Sequence, residues 1–379
     1  MESPVFDLDV SDDRLAVVAL GRSLGLDLLS PASKDAERAG AVPDAILRTL
    51  HETGLTVPVA EAFGGGGLPD IETHLAAVEV LSYGDPGITM AAIWAGAGAI
   101  LIGRCATPDQ AATWLPSLAT DPAARCPVAL YEGFGRAPSE PATTISRTDG
   151  GWRVVGRKVA VAFAAEAASL VVVGTDPATD GRLRAAIVAR PAERNGVRIE
   201  REDDRLALGA SPLCTVTFDL VIGDDELLGG ADSDGAGLEI AIGWVRLTLA
   251  AAQCGMAQRA TDYASKYATE RIAFGKPIAA FQGVSFMLAD AALRVGAARL
   301  ELFDTAAHLN AGTSRSEGPV SRAVNYAGVV ACAVTRDAIQ VLGGHGFITD
   351  HPVEIWYRCS AALSAIDFDP LLSNFEPAL

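Results

Sequence analysis

The chain has 379 residues, half of them hydrophobic and one fifth charged, and carries a formal net charge of −17. That length exceeds one simple core and implies two or three packed units, and the acidic balance, without any cluster of Lys and Arg, excludes a nucleic-acid-binding surface. The six cysteines and five histidines are scattered, with neither a C-x-x-C pair nor metal-ligand spacing, which argues against a disulfide framework and a metal site and fits reduced thiols in the cytoplasm.

The opening MESPVFDLDV lacks a basic segment followed by an apolar run, so no signal peptide is expected. Residues 1–120 read as helical. Between Pro43 and Leu55 the apolar residues Ile46, Leu47 and Leu50 keep a helical spacing that stops at Gly54. The glycine run Gly64 to Gly67 lacks the G-K-[ST] ending and a preceding strand, so it reads as a turn and not as a phosphate loop. Helical periodicity resumes from Thr73 to Ser82. No residue from Pro86 to Gly103 is charged, a length at the lower limit of a membrane span. Its Gly and Ala content and the flanking Asp85 and Arg104 predict a buried, closely packed helix and no membrane span. Thr107 then opens another helix, with Asp109 and Gln110 in its first turn.

Residues 121–232 change texture. Short β-branched runs at Trp152 to Val155, Leu170 to Val173, Ala185 to Val188 and Thr215 to Ile222 alternate with Gly, Asp and Pro turns, which predicts a small antiparallel β domain. Residues 233–379 are helical again. Leu238, Ile242, Val245 and Leu249 form one apolar stripe, and Asp262, Lys266 and Glu270, four apart, are placed to pair on an exposed face. Further helices are expected over about Phe281 to Leu309 and Val320 to Leu342, the latter stopped by Gly343-Gly344. Long helices with short loops imply a bundle, and the whole is an α+β chain: helices, a β domain, then a four-helix bundle.

Several segments, in order, resemble the acyl-CoA dehydrogenase family. The clearest are YASKYATERIAFGKPIAAFQGVSFMLAD (Tyr263 to Asp290) and QVLGGHGFITDHPVEIWYR (Gln340 to Arg358). The N-terminal LHETGLTVPVAEAFGGGGLPDIETHLAAVEVLSYGDPG (Leu50 to Gly87) is also similar, and GWRVVGRK (Gly151 to Lys158) and FDLVI (Phe218 to Ile222) match the β domain more weakly. The resemblance implies bound FAD, an acyl-CoA substrate, an electron-transfer flavoprotein as acceptor and a homotetramer or a heterotetramer with a related subunit. The implied reaction removes an α proton and a β hydride, so a carboxylate and the flavin must flank the substrate at near-attack distance. By the same resemblance Arg271 meets the FAD pyrophosphate, Phe274 and Gln282 lie around the adenine, and Gln340, Gly343 and Gly344 form a loop that approaches FAD from an adjacent subunit.

The chain's own flavin pocket departs from the pattern. Where the family has T-E-x-x-A-G-S-D, this sequence runs from Tyr131 and Glu132 through Gly133, Phe134 and Gly135 to Arg136, without the flavin-bonding threonine and serine. After Gly156-Arg157-Lys158 it has Val159-Ala160-Val161-Ala162 in place of an aromatic and a threonine. The family's catalytic glutamate falls on Asp367, whose side chain is shorter by one methylene, about 1.5 Å of reach, where a 1 Å misplacement can cost about 10²-fold in rate. Some relatives carry the base near Val245, which cannot act as one. Arg246 matches an arginine close to the active site and the acyl substrate. Two other activities compete with dehydrogenation by this chain: a non-catalytic partner subunit of a heterotetramer, and an oxidase with an aspartate base, as in nitroalkane oxidase.

Overall fold

A computed structural model describes residues 11–67, 70–133, 136, 138, 140–202, 205–233, 235–312 and 317–367. The N-terminal unit is built of α1 (Asp12–Leu24), which runs through a π-helical stretch into α2 (Ser30–Ala39), then α3 (Asp44–Glu52), α4 (Ile71–Gly84), α5 (Pro86–Gly96), α6 (Gly98–Cys105) and α7 (Pro108–Thr120). Local chemistry sets their starts. Asp70 accepts from Thr73 N at 2.6 Å, Asp85 accepts from Ile88 N at 2.7 Å with Pro86 in the first turn, and Thr107 and Gln110 form a reciprocal capping box. The Gly64–Gly67 segment is a tight turn closed by a bridge between Val59 and Gly67, and a Cβ on Gly65 would lie 2.1 Å from Val59 O. The uncharged run at 86–103 is buried as expected, but it is divided into α5 and α6 around Ala97.

The middle unit contains β1 (Val128–Ala129), β2 (Thr144–Thr148), β3 (Gly151–Ala162), β4 (Ser169–Asp176), β5 (Arg182–Ala189), β6 (Val197–Arg201) and β7 (Leu213–Ile222). They form one sheet in the order β1-β4-β2-β3-β7-β6, with β5 paired to β4. The expectation of an antiparallel sheet is corrected at one edge, where β1 and β2 both pair with β4 in parallel. Hairpin signals reveal only neighbours in sequence, whereas parallel pairs join segments brought together by crossovers. This unit has its own core, from Trp152, Val154 and Leu170 to Phe218 and Ile222.

The C-terminal unit comprises α8 (Ala236–Glu270), the short hairpin β8 (Ile272–Ala273) and β9 (Lys276–Pro277), then α9 (Gln282–Asn310), α10 (Glu317–Leu342) and α11 (Val353–Asp367). The 35-residue α8 is the axis of the molecule. It packs against α4, α5 and α6 on one side and α9, α10 and α11 on the other, so it is apolar on all faces over its first two thirds, beyond the single stripe legible in sequence. Small residues permit this: a Cβ on Gly255 would sit 2.0 Å from Glu79 O on α4. Asp262 does not pair with Lys266. Its carboxylate accepts from Tyr83 at 2.9 Å and Gln258 at 2.8 Å. Three helical stretches are long and apolar enough to cross a membrane by composition, 12–39, 86–105 and 236–270, and the last two are buried inside the protein.

Candidate functional site

Two clusters of the residues singled out by sequence lie at different places along α8. The first is at its C-terminal end. Arg271 caps the helix, and β8–β9 follows with a two-residue turn, Phe274-Gly275. Both turn residues have positive φ, +51° and +82°, the type I′ pattern that favours Asn-Gly. Phe274 thus occupies a strained conformation, and the residue is 96 % exposed, its one aromatic contact among the described residues being Phe281, edge-on at 6.2 Å. An apolar side chain held out at a cost is characteristic of a binding surface. Gln282 begins α9 and is exposed, as are Gln340 near the end of α10 and Gly343 and Gly344 after it.

Aromatic and imidazole groups bind these two segments together. Tyr267, one turn before Arg271, shares a 2.8 Å hydrogen bond with His345 Nδ1, and Tyr263 shares one of 2.7 Å with His351 Nδ1. The two imidazoles stack at 5.5 Å. The structure therefore gathers Arg271, Phe274, Gln282, Gln340, Gly343 and Gly344 at one end of the bundle. Among the described residues, the side chains of Arg271, Gln282 and Gln340 form no hydrogen bond or ion pair. Free donors beside glycines that leave the backbone open suit a pyrophosphate and its nucleoside.

The second cluster lies near the middle of α8 and has the opposite character. Arg246 and Asp367 are both buried. The Arg246 guanidinium grips the carboxylate with Nε at 2.9 Å from Oδ1 and Nη2 at 2.9 Å from Oδ2, and Nη2 also donates to Ser321 Oγ at 2.8 Å. Asp367, at the last turn of α11, is therefore not a solvated turn acid, and Arg246 is not a surface arginine. A third group, Tyr131, follows β1 in the β unit. Burial, then the charge of Asp367, pushes the Tyr131 phenol well above the usual tyrosine range.

Tyr131 also pairs with the altered segment of β3. Its carbonyl accepts from Val159 N at 2.8 Å, at the start of the Val159–Ala162 segment. Here β3 bulges between Lys158 and Val161, and Ala160 takes φ +53°. The Ala160 N–H is already given to Glu202 at 3.2 Å, so one backbone donor that might have replaced the missing hydroxyls is spent. Next to it Lys158 is fully buried and donates to Leu130 O at 3.0 Å and Glu132 at 2.8 Å. Burial pulls the Lys158 ammonium down to about 8, against the opposing pull of Glu132. Burial alone would raise Glu132, but Lys158 and the Thr143 donors hold it below its ordinary range. Phe134 and Gly135 of the altered segment lie outside the described residues. The fit to FAD is accordingly uneven: the outer surface suits the nucleotide, while the segment Val159–Ala162, where the resemblance expects an aromatic and a threonine, offers neither an aromatic face nor a hydroxyl. Val245 is buried beside Arg246. Sequence reasoning missed Ser321, Tyr267 and His345, and gave Tyr131 no role beyond the loss of a threonine. Its own place in that segment was the available signal.

The model of the acyl-CoA dehydrogenase N-terminal domain matches residues 11–121, and that of the C-terminal domain residues 237–367. The chain is 31 % identical to the short-chain specific acyl-CoA dehydrogenase of Bos taurus mitochondria, over 87 % of this chain and 80 % of that protein. Among solved structures it is similar to butyryl-CoA dehydrogenase from Megasphaera elsdenii, with a TM-score of 0.82, 24 % identity and 96 % of each chain covered. It is also similar to PigA solved with FAD and proline, with a TM-score of 0.84, 20 % identity and coverage of 96 % and 95 %. At those identities the two structures speak for the fold.

Proposed function

The chain belongs to the acyl-CoA dehydrogenase family and is an FAD-dependent oxidoreductase of acyl-CoA thioesters, and within that activity we propose that Asp367 takes the α proton. The observation that carries this is the buried pairing of Asp367 with Arg246 beneath the seam of α8 and α11. Bound FAD supplies the acceptor for the β hydride. Arg246 orients the carboxylate through two donors. A carboxylate held by a guanidinium is restrained from moving to a substrate, and its short side chain adds a cost in reach. The proposed chain is thus a slow catalyst at its own site.

The outer residues serve a different flavin. Arg271, Phe274, Gln282, Gln340, Gly343 and Gly344 are proposed to contact the nucleotide of FAD seated mainly in a neighbouring subunit of a homotetramer or heterotetramer. Their exposure and the free guanidinium of Arg271 support that reading, as do the exposed Phe286, Leu293, Leu300 and Phe347 on the same unit. Electrons then pass to an electron-transfer flavoprotein in the cytoplasm. A second reading has its own support: the hydroxyl-free Ala160 and Ala162 and the spent Ala160 N–H favour a partner subunit that completes another chain's site while its own stays idle.

Purification of the chain alone and with a related subunit tests this. The proposal expects a yellow protein whose flavin band bleaches on anaerobic addition of acyl-CoA, and an Asp367→Asn variant that keeps the flavin but bleaches no longer. A colourless chain that makes a partner active when co-expressed would replace it with the second reading.

A further inference from the structure

The residues proposed to meet a nucleotide come from two segments with different anchorage. Arg271 is continuous with α8, its N–H donating to Tyr267 O at 2.8 Å, and β8–β9 follows it directly. Gly343 and Gly344 belong instead to the connection between α10 and α11, a short 3-10 helix over Gly343–Phe347 followed by bends and turns. From 343 to 350 only Gly346 is buried. Among the described residues nothing calls for glycine at 344: its φ is not positive, and a Cβ there would meet no atom within 4 Å. A glycine that its own fold does not need leaves the backbone open to a group approaching from outside.

Two side-chain bonds fasten this exposed connection to α8. Tyr267 and Tyr263, one turn apart, meet His345 Nδ1 at 2.8 Å and His351 Nδ1 at 2.7 Å. The imidazoles stack at 5.5 Å with their planes 15° apart, and Tyr267 packs edge-on against both. Tyr263 is backed by Trp356 of α11 at 5.5 Å, and the Lys34 ammonium of α2 donates to Thr349 O. Tyr267 therefore serves both segments: its carbonyl receives Arg271 and its phenol holds His345. We infer that Tyr267 and His345, backed by Tyr263 and His351, are positioning residues for the nucleotide surface: they dock the connection on the last turns of α8 and so set Gly343-Gly344 at a fixed distance from Arg271. A surface assembled in advance meets its ligand without the cost of ordering it at binding. That the ligand is a flavin nucleotide rests on the reading above; the docking itself does not.

Two measurements test it, with three variants. Tyr267→Phe keeps the ring and loses only the hydroxyl. His345→Ala removes the partner atom, and His345→Asn restores a polar atom near the Nδ1 position that can accept or donate. Hydrogen exchange of the full chain, read by mass spectrometry, needs no flavin. Tyr267→Phe and His345→Ala are expected to speed exchange over 343–351 by about 5-fold, as one hydrogen bond is lost, with β8–β9 and the β unit unchanged and His345→Asn close to the unmutated chain. Exchange over 343–351 that ignores both substitutions, or His345→Asn as fast as His345→Ala, overturns the inference. In the flavin-holding oligomer, Tyr267→Phe and His345→Ala should weaken the dissociation constant for FAD by about 5-fold, and His345→Asn should recover it. If Arg271→Ala weakens FAD while Tyr267→Phe and His345→Ala do not, the pairs are packing alone and the inference falls. Unchanged affinity in Arg271→Ala overturns the flavin reading of this surface and leaves the exchange result to decide the docking.

Discussion

The two ends of the functional half of α8 treat their polar groups in opposite ways. Near residue 246 the charged groups are paired inside the protein: Arg246 with Asp367 and Ser321, and Asp367 with Arg246. Around residue 271 the guanidinium and both glutamine amides are unspent, and Phe274 stands in solvent at the cost of a left-handed backbone. Free groups and stored strain point outward to a ligand, whereas saturated groups hold a framework together and have little left to offer one. The difference teaches that a residue in the family's position can match in type and still differ in what remains available to it.

If the inner cluster is a framework, cutting it should be costly. Arg246→Ala leaves the Asp367 carboxylate buried without its counter-ion, a class of change that destabilises by about 3–5 kcal/mol. Urea unfolding followed by far-UV circular dichroism should show a midpoint far below that of the unmutated chain. A shift of less than about 1 kcal/mol would mean that water reaches the carboxylate, and the contrast with the outer cluster would dissolve.

The same helix carries a second buried group handled differently. Trp244, two residues before Arg246, donates its indole N–H to His74 Nδ1 at 2.9 Å, and His74 Nε2 finds no partner among the described residues. Burial lowers the His74 ionisation from 6.5 to about 4. The folded value lies below the unfolded one, so the unfolded chain takes up the proton first. The stability tied to a neutral His74 is complete above pH 6.5 and is lost as the pH falls towards about 4, amounting to about 3 kcal/mol at 1.36 kcal/mol per pH unit. Comparison of urea midpoints near neutrality and near pH 4 checks it, with His74→Gln as the reference. The glutamine still accepts from Trp244, and its acid loss should be smaller by that amount. Equal acid losses would place the charged imidazole in contact with solvent or an anion.

How far these features were legible depended on the range over which they are encoded. The helix start at Thr107, the stop at Gly343-Gly344 and the helices after Phe281 are written within a few residues, and they read correctly. The division of 86–103 at Ala97 and the parallel pairing of β4 depend on packing between distant segments, and they did not. Asp367 and Arg246 were each nameable from local motifs, but their mutual grip links positions 121 residues apart.

The smallest expected effect tests the outer cluster most sharply, because its two readouts should move in opposite directions. Phe274-Gly275 is a two-residue turn with both φ positive, and a left-handed backbone costs a side chain such as Phe roughly 1–2 kcal/mol. Phe274→Asn creates Asn-Gly, the pair such turns prefer, and removes a ring whose one aromatic contact among the described residues is Phe281. If Phe274 were there for the fold, its loss would lower stability. As a ligand-facing residue kept against its backbone preference, it should instead give a chain about 0.5–1 kcal/mol more stable to urea that retains less flavin through gel filtration. Arg271→Ala, which breaks no contact among the described residues, should lower flavin retention with no change in stability beyond about 0.5 kcal/mol. A variant at 274 that is both less stable and equally yellow would place the ring in the framework and leave only the inner cluster to carry the contrast.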